Sequence, residues 1–95
     1  MKFAAIIEYI QDKAKIAEIR PTHRQYLTGL KDKGQLVAAG PFTDDSGALI
    51  IYEAPSAADA EQLVKNDPFN KGGIFIKWQL RPWNTVMANR ELFPG

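Results

Sequence analysis

Two residues of this sequence could do acid–base chemistry together: its single histidine, His23, and a carboxylate much later in the chain, Asp67. A carboxylate close to an imidazole fixes one tautomer of the ring and stabilises its protonated form. This suits the ring to proton transfer near neutral pH. The alternative is a hydrogen-bonded core histidine and an aspartate that merely ends a helix before Pro68. Both interpretations stay open at this point.

The composition excludes several other kinds of site. There is no cysteine, so thiolate nucleophiles, disulfides and Cys-ligated zinc or iron–sulfur sites are ruled out. One histidine with carboxylates is an incomplete ligand set for zinc, and we expect neither a metal nor a cofactor. Ser46 and Ser56 lie outside any G-x-S-x-G nucleophile elbow. With 12 Lys and Arg against 11 Asp and Glu there is no basic stripe, so we expect no nucleic-acid partner.

The length of 95 residues fits one domain, which we expect to span residues 1–95, with a core at about 2–82 and a tail at 83–95. The longest apolar run near the N-terminus, Phe3–Ile7, is too short for a signal-peptide core or a membrane span. We therefore expect a cytoplasmic protein with no membrane partner.

Short apolar runs bounded by turn residues predict four strands. They are expected at Lys2–Ile10, Gln35–Ala39, Ala48–Glu53 and Gly72–Pro82. Gly40-Pro41-Phe42 is expected to break the second strand, and the polar Thr43–Gly47 stretch predicts a hairpin turn.

Two helices are expected between these strands. The first is predicted to start or restart at Arg20-Pro21-Thr22 and to end at Gly34, because proline tolerates a first helical turn and glycine favours the residue after a helix. Gln11–Ile19 is ambiguous, between a loop and the first turn of this helix. The second helix opens at Pro55-Ser56, with Ser56 as N-cap, and stops at Asp67-Pro68.

The order β-α-β-β-α-β is that of an α+β ferredoxin-like sandwich: a four-stranded antiparallel sheet with two helices on one face. The first and third strands are apolar on both faces, and the fourth is expected to place Phe75 opposite Ile74, Ile76, Trp78 and Leu80. Because the chain is too short to cover the second face, we expect a homodimer through the open sheet, which makes a dimeric α/β barrel.

The same topology brings the start of the first helix, the end of the second helix and the hairpin to one edge of the domain. His23 and Asp67 both take inward positions there by helical spacing. We expect the other site residues at this edge, as substrate-binding groups: Arg20, Gly40, Pro41, Phe42, Phe69 and Tyr9.

Each supporting residue has a chemical reason and a structural alternative. Arg20 lies one turn before His23 and would suit a carboxylate or phenolate, unless it is a solvated arginine. The aromatic rings could wall a pocket or simply pack in the core. Tyr9 could donate a phenol hydrogen bond, and Gly40 could allow close approach of a ligand.

An ordered set of residues resembles the YciI-like (YCII-related) family over about residues 2–82. The set is Arg20-x-x-His23-x-x-Tyr26-Leu27, Gly34-x-Leu36, Gly40-Pro41, Gly47 and Asp67-Pro68-Phe69. The resemblance implies a small dimeric α/β barrel, similar in fold to muconolactone isomerase, with His23 and Asp67 as the active-site pair. One relative in that family is a dehydrochlorinase that acts on a chlorinated hydroxyhydroquinone.

Together these observations predict an enzyme without a cofactor, which uses His23 and Asp67 for elimination or isomerisation of a small aromatic or anionic molecule. Two alternatives stay open. The cleft could hold a small ligand without turning it over, or the chain could be an accessory dimeric module.

Overall fold

The computed structural model describes residues 1–93 and contains four strands, three helices and a short 3₁₀ turn. Their bounds are β1 Lys2–Tyr9, α1 Lys13–Asp32, β2 Leu36–Pro41, β3 Gly47–Glu53, α2 Ala57–Lys65, α3 Pro68–Lys71, β4 Phe75–Trp83 and the 3₁₀ turn Arg90–Leu92. All strand pairs are antiparallel, in the order β2-β3-β1-β4. The predicted α+β ferredoxin-like fold is confirmed. No helix among the described residues is long and apolar enough to cross a membrane.

The core lies between the sheet and the helices. Alternate residues of the two central strands are buried there: Phe3, Ala5, Ile7 and Tyr9 from β1, and Ala48, Ile50 and Tyr52 from β3. The residues between them, such as Ile6 and Leu49, are exposed on the other face of the sheet. The helices therefore cover one face only, as the sequence predicted.

The first helix begins earlier than expected, at Lys13, because Asp12 caps it: its side chain accepts a hydrogen bond from the Lys15 N–H. Pro21 lies inside the helix instead of at its start. A proline there leaves the carbonyl of Ala17 without its helical partner. Both residues are exposed, so water can reach that carbonyl and the helix continues. Gly34 follows its end with a φ of 74°, as the sequence predicted for the residue after a helix.

The fourth strand differs from the expected pattern. Tyr9 pairs with Phe75 and Glu8 with Lys77, so Ile76 is an extra residue in a β-bulge. One extra residue reverses the alternation of side chains. Trp78 and Leu80 therefore pack against the same core as Phe75. Ile74, just before the strand, belongs to that core too, so the prediction that these three residues lie opposite Phe75 was wrong, while Ile76 is exposed as expected.

Other strand bounds also differ from the predictions. β1 ends at Tyr9 instead of Ile10, β3 begins at Gly47 instead of Ala48, and β4 spans Phe75–Trp83 instead of Gly72–Pro82. The expected break at Gly40-Pro41-Phe42 was wrong, because β2 continues through Pro41. It is an edge strand, where proline is tolerated since one side needs no backbone donor. Gly47 begins β3 in close contact with β1: a Cβ atom there would overlap the carbonyl oxygen of Ile7.

Candidate active site

His23 and Asp67 are in direct contact. The distance between His23 Nδ1 and Asp67 Oδ1 is 2.6 Å. His23 takes the middle place in the buried stripe of α1, seven residues after Ile16 and seven before Leu30, and seven residues are two helical turns. Its side chain is thus directed at the core by helical spacing alone. His23 is 6% exposed and Asp67 is 0% exposed.

Asp67 is held in place because it caps the short helix α3. Its Oδ1 accepts a hydrogen bond of 2.8 Å from the Phe69 N–H. Pro68 takes the first helical position, where it needs no donor. The sequence correctly predicted that α2 ends before Pro68, but not that another helical turn follows. The Phe69 ring stacks on the His23 imidazole, with centroids 3.9 Å apart and planes within 6°.

This geometry assigns different roles to the two ring nitrogens of His23. A carboxylate only accepts hydrogen bonds, so Nδ1 carries the proton that it donates to Asp67. Nε2 makes no hydrogen bond to the described residues. The other carboxylate oxygen, Asp67 Oδ2, is buried without a partner among residues 1–93.

The imidazole faces a cleft of about 230 Å³. The cleft is lined by Tyr9, Arg20, His23, Arg24, Leu27, Ala39, Gly40, Pro41, Ala48, Ile50 and Phe69. Six residues singled out in the sequence therefore meet here, while Asp67 lies behind the imidazole. Phe42 does not join them: it lies beyond the end of β2, is 43% exposed and lines neighbouring cavities instead.

The charged side chains of this cleft are cationic. Arg20 and Arg24 are among its lining residues, and none of the lining residues is acidic. Arg20 Nη2 donates to Asp45 Oδ1 at 2.6 Å, and both side chains are half-buried. Asp45 lies in the β2–β3 hairpin with a φ of 61°. Aspartate tolerates this conformation better than most residues. The remaining donors of the Arg20 fork can still serve an anion in the cleft.

Sequence reasoning did not single out Asp45, nor Ala39 of β2, nor Ala48 and Ile50 of β3. The only signal for Asp45 is its place in the polar turn before Gly47, and such a turn does not indicate which side chain will meet a helix. The apolar residues follow strand alternation, which is the pattern of any core.

Tyr9 lies between the cleft and a second cavity. Burial raises the pKa of its phenol from 10.0 to about 12, against the lowering effect of nearby Arg20, while the charges of Asp45 and Asp67 raise it further. Tyr9 therefore remains protonated near neutral pH and can donate a hydrogen bond. Its ring makes an edge contact with Phe69 at 5.4 Å.

No group of three or more metal-ligating His, Cys, Asp or Glu side chains lies together within residues 1–93. His23 and Asp67 bind each other at this site, and the other polar groups that line the cleft are guanidinium and phenol groups. Guanidinium groups bind anions rather than metals.

Comparison with known proteins gives consistent matches over most of the chain. Residues 1–84 match the sequence model of the YCII-related domain. Protein YciI of Escherichia coli O6:H1 is 32% identical over an alignment 92 positions long, and the alignment covers 82% of this chain and 94% of that protein. Protein YciI of Shigella flexneri matches with the same identity and coverage.

Solved structures with the same fold include two enzymes. The 5-chloro-2-hydroxyhydroquinone dehydrochlorinase TftG of Burkholderia phenoliruptrix AC1100, in complex with 2,5-dihydroxybenzoquinone, matches with a TM-score of 0.78 and 28% identity. The match covers 88% of this chain and 94% of TftG. Muconolactone isomerase matches with a TM-score of 0.66, covering 94% of this chain and 98% of its own, but at 11% identity it shows the fold alone.

Proposed function

This chain belongs to the YCII-related domain family, and on that premise we propose that it is an enzyme, a lyase or isomerase, in which His23 and Asp67 perform acid–base chemistry on a small aromatic or anionic molecule. The observation that carries the proposal is the 2.6 Å contact between His23 Nδ1 and Asp67 Oδ1, with the imidazole facing a cleft. Asp67 fixes the tautomer and stabilises the imidazolium that forms when Nε2 accepts a proton.

The pair can serve two related reactions. In an elimination, His23 Nε2 takes a proton from a carbon or hydroxyl of the substrate, the electron pair left behind forms a double bond, and the leaving group departs with its bonding electrons as an anion. His23 then gives the proton to solvent. In an isomerisation, His23 returns the proton to a different atom of the same molecule. Both reactions need one group that acts first as a general base and then as a general acid, and an imidazole can do both near neutral pH.

The cleft favours a single-ring, oxygen-bearing anion. Its volume is about 230 Å³. Sites for drug-sized ligands begin at roughly 300 Å³, so the cleft suits a smaller molecule. Arg20 and Arg24 supply positive charge for a carboxylate or phenolate, and the protonated Tyr9 supplies a donor for a second oxygen. The ring-shaped molecule bound to the related dehydrochlorinase TftG, 2,5-dihydroxybenzoquinone, supports this size and chemistry.

The test is turnover of chlorinated and non-chlorinated hydroquinones and hydroxybenzoates, followed by NMR of the products and by release of chloride. We expect His23→Gln to abolish turnover and Asp12→Asn to leave it unchanged, since Asp12 caps α1 without touching the site. Nitrogen NMR of the wild-type imidazole should show the proton on Nδ1. Tight binding with the ligand recovered unchanged would instead identify a non-catalytic binding module, and a proton fixed on Nε2 would contradict the assignment of the base.

We also propose that the chain forms a homodimer through the open sheet face. The sheet face away from the helices exposes Ile6 and Leu49, and the bulge in β4 exposes Ile76. Exposed apolar surface of this kind marks an interface. The structural neighbours TftG and muconolactone isomerase are proteins of the dimeric α/β barrel type, which supports this proposal. Sedimentation equilibrium of the wild type and of Leu49→Lys tests this: the variant should be monomeric, and an unchanged dimer would contradict this interface. The cytoplasmic location stays a prediction.

A further inference from the structure

The segment that follows β4, residues 84–93, is not held to the domain by hydrogen bonds. Trp83 is the last residue paired with β1. All described hydrogen bonds of the later residues are internal, such as that from the Glu91 N–H to the side chain of Asn89 and that from the Leu92 N–H to the Asn89 carbonyl. We call residues 84–93 the C-terminal arm. The arm therefore contributes little to holding a single copy together.

The arm nevertheless carries large apolar side chains. Val86, Met87, Leu92 and Phe93 are between 67% and 88% exposed. Burial of these apolar side chains would be favourable, but in the single chain they remain mostly exposed to water. An exposed group of apolar residues without a partner in its own chain is typical of a surface that another molecule covers.

A groove of about 750 Å³ along the edge strand β2 can receive such side chains. Its apolar wall includes Leu36, Val37, Leu49 and Ile51, and Phe93 lies at the same groove. Phe93 is the one arm residue among those that line the groove, and Val37 and Leu49 stay 47% and 40% exposed, so the arm of its own chain leaves much of the wall uncovered. The groove continues onto the open sheet face, because Leu49 belongs to both.

The arm is long enough to reach a neighbouring copy. Ten residues in an extended chain span up to about 33 Å. Four strands are only about 14 Å across, because neighbouring strands lie about 4.8 Å apart. The match to the YCII-related domain covers residues 1–84, so nearly the whole arm lies outside that match.

We propose that the C-terminal arm docks on a second copy of this chain, with its apolar side chains packed in the β2 groove of that copy. The arm of the second copy packs in the β2 groove of the first in the same way. A two-fold arrangement fills both grooves and buries both arms, as an isologous interface requires. The inference rests on the proposed homodimer, whose open sheet face is continuous with the groove, and it is independent of the proposed catalysis.

The test uses full-length variants in sedimentation equilibrium. Met87→Asp and Phe93→Asp each place a charge where the arm would be buried, and Thr85→Asp adds the same charge to an exposed polar position of the arm. We expect dimer dissociation constants at least tenfold higher for the first two variants and unchanged for the control. Circular dichroism should show the same fold in all of them, because the arm makes no described hydrogen bonds to the domain.

The outcomes separate this inference from the other proposals. Equal dimerisation of all three variants and the wild type would overturn the arm exchange but leave the sheet-face dimer intact. A monomeric wild type would overturn both. Dimerisation lost with Thr85→Asp as well would overturn the inference, since it would reflect charge on the arm and not its apolar side chains. Turnover by the wild type tests the catalytic proposal in every case.

Discussion

Replacing Asp67 by alanine or by asparagine separates what this carboxylate does for stability from what it does for chemistry. Asp67→Ala leaves the His23 Nδ1–H and the Phe69 N–H without their acceptor. Each buried, unpaired donor costs about 1–3 kcal/mol, and removal of the unpartnered Oδ2 returns about the cost of one such group. Two donors lose their acceptor and one unpaired oxygen is removed, so the net cost is that of one buried, unpaired group. We therefore expect the free energy of unfolding to fall by about 2 kcal/mol.

Asp67→Asn has a different effect, because its amide oxygen can still accept both hydrogen bonds. Hydrogen bonds to a charged acceptor are roughly twice as strong as neutral ones, so the two bonds weaken by about 1 kcal/mol each. The loss of a buried negative charge offsets much of this, and we expect stability within about 1 kcal/mol of the wild type. In the proposed mechanism the imidazolium formed during proton transfer loses its counter-charge in this variant. We expect this to raise the barrier by about 1.5–2 kcal/mol and to slow turnover by about 10- to 30-fold.

Urea unfolding followed by tryptophan fluorescence measures the first effect, as a change in midpoint at constant slope. Asp12→Asn is the matched control, since Asp12 also caps a helix but has no histidine partner. The reasoning is refuted if asparagine destabilises the protein as much as alanine does, since the negative charge would then be required for the fold. It is equally refuted if asparagine leaves turnover unchanged.

Three further predictions follow from other contacts. Asp45→Asn keeps a side chain that tolerates a positive φ but removes the ion pair with Arg20 of α1. Because salt screens ion pairs, this variant should lower the urea midpoint more at low salt than at high salt, and Asp44→Asn, at an exposed position, should show no such salt dependence. Burial raises the pKa of all three tyrosines, from 10.0 to about 12 for Tyr9. The contribution of these phenols to stability should therefore be full below pH 10.0 and fall as the pH rises toward 12. Tyrosinate absorbance should appear at a higher pH in the native protein than in the urea-unfolded protein. Gly47→Ala should lower the thermal midpoint sharply by forcing β3 away from Ile7, and an unchanged midpoint would contradict that contact.

The inward position of His23 could be predicted from the sequence because it depends on local periodicity. Asp67 was expected inward by the spacing of α2, but it lies beyond the end of that helix and is placed by the cap of α3 instead. His23 keeps its phase relative to Leu30 whether the helix begins at Lys13 or at Arg20, so the error in the helix start did not affect the predicted contact with Asp67. The alternation along β1 predicted two apolar faces but not which of them the helices cover, since both faces carry apolar residues. Such patterns repeat within one element and need no knowledge of its neighbours.

The features that the sequence did not predict depend on contacts between elements. The bulge at Ile76 exists only relative to the partner strand β1, and no pattern within β4 reveals it. Pro21 usually indicates a helix start, but here an earlier cap and an exposed carbonyl let the helix continue through it. The Arg20–Asp45 ion pair joins a helix to a hairpin tip, and its formation requires the three-dimensional arrangement of both.

Asp67 shows why local and functional signals can coincide in one residue. Its side chain caps α3 through the Phe69 N–H and, with the same oxygen, accepts from His23. The hydrogen bond to the Phe69 N–H restricts the carboxylate independently of His23. The hydrogen bond to the imidazole therefore costs little further side-chain entropy of Asp67. Phe69, fixed by the same turn, stacks on the imidazole and restricts the ring that the carboxylate orients. The Asp-Pro-Phe sequence thus specifies a helix start and one wall of the site together, and substitutions there will change stability and chemistry by different amounts.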